Sequence, residues 1–305
     1  MNRRLFLQSA TAAALTPSIV RAANAIPSIG FSLYGMKDIP LDTALKTCAE
    51  IGYTHVELTL NSGYVTEPSK FNKQARNALA EQLKSLKLSV PCLMISASLT
   101  NSDDAHKSAL KLIADAAELG RDVSPDAPPV METVLGGKPA TWEEQKAGML
   151  EKLRDWAATA EKVSATITIK AHVGSAVNSP ERLLWLLDQV KSPAIQAAYD
   201  FSHFEVQGMD MEATMKALLP RTKFIHVKDT QGEAPAGKKP NFQFLLPGQG
   251  RTDYIKYFKL LKAHNYTGPV CVEVSGQVFN KPGYDPIAAA RSSFAALSKA
   301  LQAAS

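Results

Sequence analysis

Six polar residues fall in pairs two apart at the downstream ends of short apolar runs: Lys170 and His172 in ITIKAHVG, His226 and Lys228 in FIHVKD, Glu273 and Ser275 in VCVEVSG. Residues two apart on a strand share a face, so each pair would be presented together. Asp200 ends the run AAYDFSHF with His203 just beyond it, and Glu132 lies in METVLGG shortly before a Gly-Gly. An isolated charge at an interior strand end is costly, so these groups need partners, a metal ion or a ligand. One alone would ordinarily close an ion pair. Asp200, His226 and Glu273, recurring at equivalent ends of three successive runs, point instead to a site. The chemistry open to such a set is acid–base: a carboxylate such as Glu273 or Glu132 takes a proton, and a cation holds the oxygen that becomes negative.

Further residues divide by position. Lys228, on the face of His226, suits a donor to a substrate oxygen. Glu57, in HVELTL, is either a substrate contact or a hydrogen-bond partner at the mouth. Tyr34 and Trp142 sit where a ring could stack on a sugar. His55 starts its run and so lies at the far end, as a structural residue. His106 and His264 fall in helical segments and are expected to face solvent.

The elements that must position these groups read as eight βα units in series. Strands are expected over 28–35, 55–60, 89–96, 129–135, 165–173, 195–200, 223–228 and 269–275. Helices are expected over 40–52, 68–87, 102–119, from Thr141 to about 163, 179–191, 210–220, 253–265 and 285–303. Val/Ile-rich runs alternating with 3.6-type periodicity predict an α/β chain. Eight units in this length favour a single-domain (β/α)8 TIM barrel, whose strand ends converge on one pocket. No Gly-x-Gly-x-x-Gly turn follows the first strand, which argues against a dinucleotide-binding sheet. The long loop 230–252 comes after strand seven, on the pocket side, and its FQFLL stretch predicts a lid or sugar platform.

Residues 1–25 read as a Tat signal peptide, with Arg3-Arg4 before an Ala-rich apolar run and a cleavage site at Ala23-Asn24-Ala25. Residues 26–305 are then the barrel, about 280 residues, enough for one domain. The signal implies the Tat export machinery as a partner and a periplasmic or secreted location. Its apolar run is too short and weak to span a bilayer, so no membrane insertion is expected. Removing Arg3, Arg4 and Arg21 takes the formal charge from +5 to about +2, too little for a nucleic-acid footprint. Cys48, Cys92 and Cys271 lack zinc-type spacing and read as buried free thiols. Helices 253–265 and 285–303 are candidates for a homodimer interface, although a barrel core demands the same apolar faces.

Four motifs give the chain a family look: Asp200-Phe201-Ser202-His203, His226-Val227-Lys228-Asp229, Pro247-Gly248-Gln249-Gly250 and Val272-Glu273-Val274. It resembles the sugar phosphate isomerase/epimerase family, the xylose-isomerase-like TIM barrels that also include endonuclease IV and inosose dehydratase. The resemblance implies a divalent metal, Mn foremost with Zn or Mg as other candidates, held by Asp200, His226 and Glu273. It implies His203 as an adjacent ligand or substrate histidine, and His172 as a substrate contact. The family's Ile-Glu-x-His stands here as Ile169-Lys170-Ala171-His172, and an ammonium ion cannot ligate. Three outcomes follow: Glu132 supplies the missing carboxylate, or three protein ligands suffice, or Lys170 replaces the metal and pairs with Asp200 and Glu273.

The resemblance implies a small carbohydrate as substrate and proton removal beside its carbonyl. Return of the proton to the same carbon gives epimerisation, and return to the neighbour gives isomerisation. Loss of a β substituent gives a dehydratase or a 3-keto-glycoside lyase. Export and the lack of a Gly-rich phosphate cradle point to an unphosphorylated sugar. A non-catalytic sugar-binding barrel is the reading from another class; the endonuclease branch needs more ligands and a basic face.

Overall fold

The computed structural model describes residues 27–100, 102–237 and 239–305; the expected export signal, 1–25, lies outside them. The β-branched runs form eight short parallel strands: β1 (Ile29–Ser32), β2 (His55–Thr59), β3 (Ser89–Met94), β4 (Val130–Thr133), β5 (Ile167–Lys170), β6 (Ile195–Tyr199), β7 (Thr222–Val227) and, after a hairpin, β10 (Val270–Val272). They close in the order β1-β10-β7-β6-β5-β4-β3-β2, so the fold is a single-domain TIM barrel. The hairpin itself, β8 (Asp229–Glu233) paired antiparallel with β9 (Asn241–Leu245), stands outside the barrel.

Around the strands lie α1 (Leu41–Ile51), α2 (Lys73–Leu86), α3 (Asp103–Val123), α4 (Trp142–Lys162), α5 (Pro180–Val190), α6 (Phe201–Glu205), α7 (Met211–Leu218), α8 (Tyr254–Ala263), α9 (Gly276–Phe279) and α10 (Pro286–Ala303). Side-chain caps fix several starts, among them Asn72, Ser102, Ser179, Asp210 and Asp285, each accepting from backbone N–H groups of the first turn. Thr141 precedes α4 without capping it: its hydroxyl donates to Lys138 O and Gln145 Oε1 instead. The apolar faces of α8 and α10 bury Tyr257, Phe258, Leu261, Ala290 and Leu297, leaving only their outer faces for any homodimer. No helix among the described residues is long and apolar enough to cross a membrane.

Alternate strand residues fill the barrel's interior, and their character changes along its axis. Cys92, Phe224 and Cys271 form a small apolar floor separate from the main core. Two residues downstream of Phe224 and Cys271 come His226 and Glu273, and two beyond His226 comes Lys228. Barrel interiors are ordinarily filled by branched apolar side chains, so charged layers above an apolar floor mark where this one does something else. All three cysteines are buried and free, as expected.

His55 lies at the far end of the barrel, as its position at the start of β2 required. Its ring rests on Gly30, where a Cβ would come within 2.0 Å of it. Burial holds the imidazole down at about 4, against an ordinary 6.5. The folded state therefore keeps His55 neutral while the unfolded chain protonates it near 6.5. Stability from this group is complete above that pH and is lost as pH falls towards 4, by roughly 3 kcal/mol. Denaturant titrations of wild type and His55→Asn should thus diverge in slope between pH 6.5 and 4, wild type losing more. Parallel pH dependences would refute the assignment.

Candidate functional site

The charged layers meet at the C-terminal mouth of the barrel, where β5, β6, β7 and β10 deliver Lys170, Asp200, His226, Lys228 and Glu273. His226 is fully buried, and its Nε2 lies 2.9 Å from Glu57 Oε2. Its Nδ1 lies 3.0 Å from Lys170 Nζ. An ammonium can only donate, so Nδ1 accepts and the ring proton sits on Nε2, donated to Glu57. Glu57 is therefore the partner beneath His226. It has no exposed surface.

Lys170 Nζ also donates to Glu273 Oε2 at 3.1 Å and lies 3.3 Å from Glu132 Oε1. Lys228 Nζ donates to the same Glu273 oxygen at 2.5 Å, and to Asp200 Oδ2. Asp200 is oriented from its other oxygen by Ser202, whose hydroxyl donates at 2.6 Å and backbone N–H at 3.2 Å. Burial opposes the charge on Lys170, but Glu132, Glu273, Asp200 and Glu57 outweigh it and raise its pKa well above the ordinary value. Burial would raise Glu273 too, yet Lys170 first and then Lys228 hold its carboxyl well below the usual range. Glu132 goes the other way: burial raises it, and Lys170 only partly offsets that. The two carboxylates that flank one lysine are thus driven apart, the pattern of an acid and base pair.

A cavity of about 240 Å³ opens over these groups, lined by Glu132, Lys170, His172 and Glu273 together with Tyr34, Asn61, Met94 and Ser96. That is below the roughly 300–1,000 Å³ of pockets for drug-sized ligands, a size for one monosaccharide. His172 is held at about 4 by burial, then by Lys170 and Lys228. Its Nδ1 accepts from Gly174 N–H at 3.1 Å, which leaves Nε2–H as its donor. The ring lies 4.1 Å, centroid to centroid, from that of His203, which is also kept neutral by burial first and the neighbouring cations after it. His203 is 1% exposed, and its Nε2 is 3.4 Å from Asp200 Oδ2.

The expected lid is the hairpin β8–β9. Phe244 from β9 packs edge-on to His203 at 5.0 Å and lies over Lys228 Nζ at 5.1 Å, and so roofs the second lysine. Asp229, the last residue of the His-Val-Lys-Asp motif, is not in the site. It anchors the hairpin by accepting from the N–H groups of Thr230, Gly248 and Thr252. Gly250 lets that loop close, since a Cβ would meet Thr230 O at 2.3 Å. A second cavity, about 680 Å³, lies between the hairpin and the segment after β5, lined by Pro139, Val173, Asn178, Arg182, Pro235 and Phe242; its Val173 follows His172 of the first cavity in the chain.

Two expectations fail. Trp142 is 5% exposed, edge-on to Trp185 at 5.5 Å with Arg182 over its face, so it belongs to the α4–α5 packing and not to the cavity. His106 does not face solvent: it pairs with Asp155 at 2.9 Å across α3 and α4. Asn61 and Ser96, which line the cavity, are open to the same logic as the others, since each lies two residues past the end of its strand, on the face of Thr59 and Met94.

Asp200, His226 and Glu273 do gather as the resemblance implied, one ligand-type atom of each within 4.8 Å of the others. A second group, Glu57, His226 and Cys271, lies deeper. Burial raises the Cys271 thiol well above its ordinary value, so it offers no thiolate. In the upper group Asp200 Oδ2, His226 Nδ1 and Glu273 Oε2 already accept from ammonium groups. Glu132 is separated from that group by Lys170. As folded, this donor set does not fit a divalent ion.

The sequence profile described as xylose isomerase-like TIM barrel matches residues 45–300. Inosose dehydratase of Clostridium perfringens is 28% identical over 154 residues, 47% of this chain and 52% of that protein, so the chain spans about half the length of the curated relatives it matches. The IOLI protein with a bound zinc atom superposes with a TM-score of 0.71 at 19% identity, over 89% of this chain and 98% of that one. The 3-keto-D-glucoside 4-epimerase of E. coli superposes with a TM-score of 0.67 at 16% identity, over 90% and 99%. At these identities the two structures speak for the fold alone.

Proposed function

The chain belongs to the xylose isomerase-like TIM barrel family, and from that premise we propose that it removes a proton beside the carbonyl of an unphosphorylated keto-sugar, as an isomerase or epimerase. One observation carries the reading: Lys170 Nζ stands between two carboxylates, 3.1 Å from Glu273 and 3.3 Å from Glu132, and all three line the same small cavity.

In this reading the substrate's carbonyl oxygen approaches Lys170. Glu273 takes the proton from the adjoining carbon, and the electrons of that C–H bond move through the carbon framework onto the oxygen. The ammonium stabilises the resulting enolate, where a water-poor setting makes each charge-assisted hydrogen bond count for more. Glu132, across Lys170, returns a proton. Delivery to the same carbon from the other face inverts it; delivery to the former carbonyl carbon moves the carbonyl, the neighbouring hydroxyl passing its proton to the first oxygen as it becomes the new carbonyl. His172 Nε2–H would hold a further sugar oxygen. Export through the Tat machinery to the periplasm or beyond is part of the same proposal and follows from residues 1–25.

The test is incubation of the full chain with ketohexoses and with 3-keto-glucosides, followed by NMR of the mixture. A new epimer or isomer is the expected product. A substrate unchanged across the panel would refute the reading.

A second reading is favoured by the 680 Å³ cavity, whose Val173 follows His172 of the small cavity. Its Val173, Pro235 and Phe242 suit an apolar aglycone while the sugar sits over Lys170. Proton removal from carbon 2 of a 3-keto-glycoside, with loss of the carbon-1 substituent, would make the reaction a lyase cleavage. Release of aglycone, with no epimer, would select it. The inosose dehydratase among the relatives is named for a dehydration, which is elimination of the same kind.

A further inference from the structure

We propose that the ammonium groups of Lys170 and Lys228 occupy the place a divalent cation would take in this barrel, so that the site is a metal-free cationic centre. The occupancy claim stands on geometry alone; only its use, holding an enolate oxygen, rests on the reading above.

In the group of Asp200, His226 and Glu273, one ligand-type atom of each residue is already engaged by a lysine. Lys170 donates to His226 Nδ1 at 3.0 Å and to Glu273 Oε2 at 3.1 Å. Lys228 donates to that same Glu273 oxygen at 2.5 Å and to Asp200 Oδ2. The two ammonium groups together carry the charge of one divalent ion and sit within its would-be ligand shell. A dication there would displace both from their acceptors and face their repulsion.

Neither lysine has an easy way out. Both are 4% exposed. Lys170 is flanked by Glu132 on one side and by His226 and Glu273 on the other. Lys228 lies under the Phe244 ring, and Phe244 is tied down by its backbone N–H donating to Gln277 Oε1 at 2.8 Å. An ammonium also differs chemically from a metal ion: it directs hydrogen bonds, it can give up a proton, and a chelator cannot remove it.

The experiment is elemental analysis of the wild-type chain, before and after equilibrium dialysis against MnCl2 or ZnCl2, with solvent-deuterium exchange into a keto-sugar measured on the same samples. The expected result is well under one ion per chain, and no change in exchange on adding EDTA. About one ion per chain, bound tightly enough to survive dialysis, would overturn the proposal. The wild-type result decides without any variant, so a misfolded mutant cannot obscure it. Lys170→Glu, checked for folding by circular dichroism, should gain Mn binding. A folded Lys170→Glu that still takes no Mn would overturn the claim that this lysine displaces the ion. Failures separate cleanly. A metal-free wild type with no exchange sinks the enolising function and leaves the cationic centre standing. Exchange that requires one bound ion does the reverse.

Discussion

Glutamine in place of Glu273 should slow proton exchange into a keto-sugar by about 10²–10⁴-fold, the range a general base contributes, while the chain still folds and binds sugar. The side chain of Glu273 is 12% exposed, against 2% for Glu132 and none for Asp200, so among these acids it is the one open to a substrate. Glutamine keeps the shape, and its carbonyl oxygen can accept from Lys170 and Lys228, but it cannot take a proton. The loss should therefore fall on kcat with little effect on KM, because the missing interaction belongs to the transition state. The check is exchange kinetics alongside circular dichroism and a binding isotherm. A Glu273→Gln variant within a few-fold of wild type would remove Glu273 as the base.

Methionine in place of Lys170 should be costly in a different way. It fills a similar volume but withdraws the ammonium that donates to His226 Nδ1 and Glu273 and pairs with Glu132. Removing one partner from a buried charge cluster typically costs about 3–5 kcal/mol, because the remaining charges stay desolvated and unpaired. Part of that loss should be recovered at low pH, where Glu132, already raised by burial, takes up a proton and no longer needs a counter-charge. Loss of the oxyanion donor should lower the exchange rate by a further 10²–10³-fold or so. Denaturant unfolding at two pH values reads the first effect and exchange in the folded fraction reads the second. Unchanged stability would mean that Lys170 does not bear the charge balance assigned to it.

The fold was legible because period-2 and period-3.6 patterning alternates cleanly along the chain. Strand ends are less so: the first run's apolar pattern extends to residue 35, whereas β1 stops at Ser32 and a 3-10 turn follows. The FQFLL stretch of loop 230–252 signals a cover, but its hairpin leaves no sequence mark, because pairing between Asp229–Glu233 and Asn241–Leu245 leaves no strong alternation in QGEAPAGKKPN.

The site's members could be named from spacing, since residues two apart on a strand must share a face. Spacing gives a face, however, and not a distance. That Lys228 rather than Lys170 takes Asp200, that Glu57 is spent on His226, and that both lysines meet on one oxygen of Glu273 are facts of three dimensions. Trp142 misled for the same reason: its partner Trp185 is a helix away in sequence, and nothing local announces the pair.

The most direct measurement is NMR of a 3-keto-glucoside and of a ketohexose in D2O with catalytic wild-type chain. The account predicts loss of the signal of the proton next to the carbonyl at a rate set by the enzyme, abolished in Glu273→Gln. A sugar that binds while that signal persists unchanged would contradict it and leave a barrel that holds its ligand without reacting.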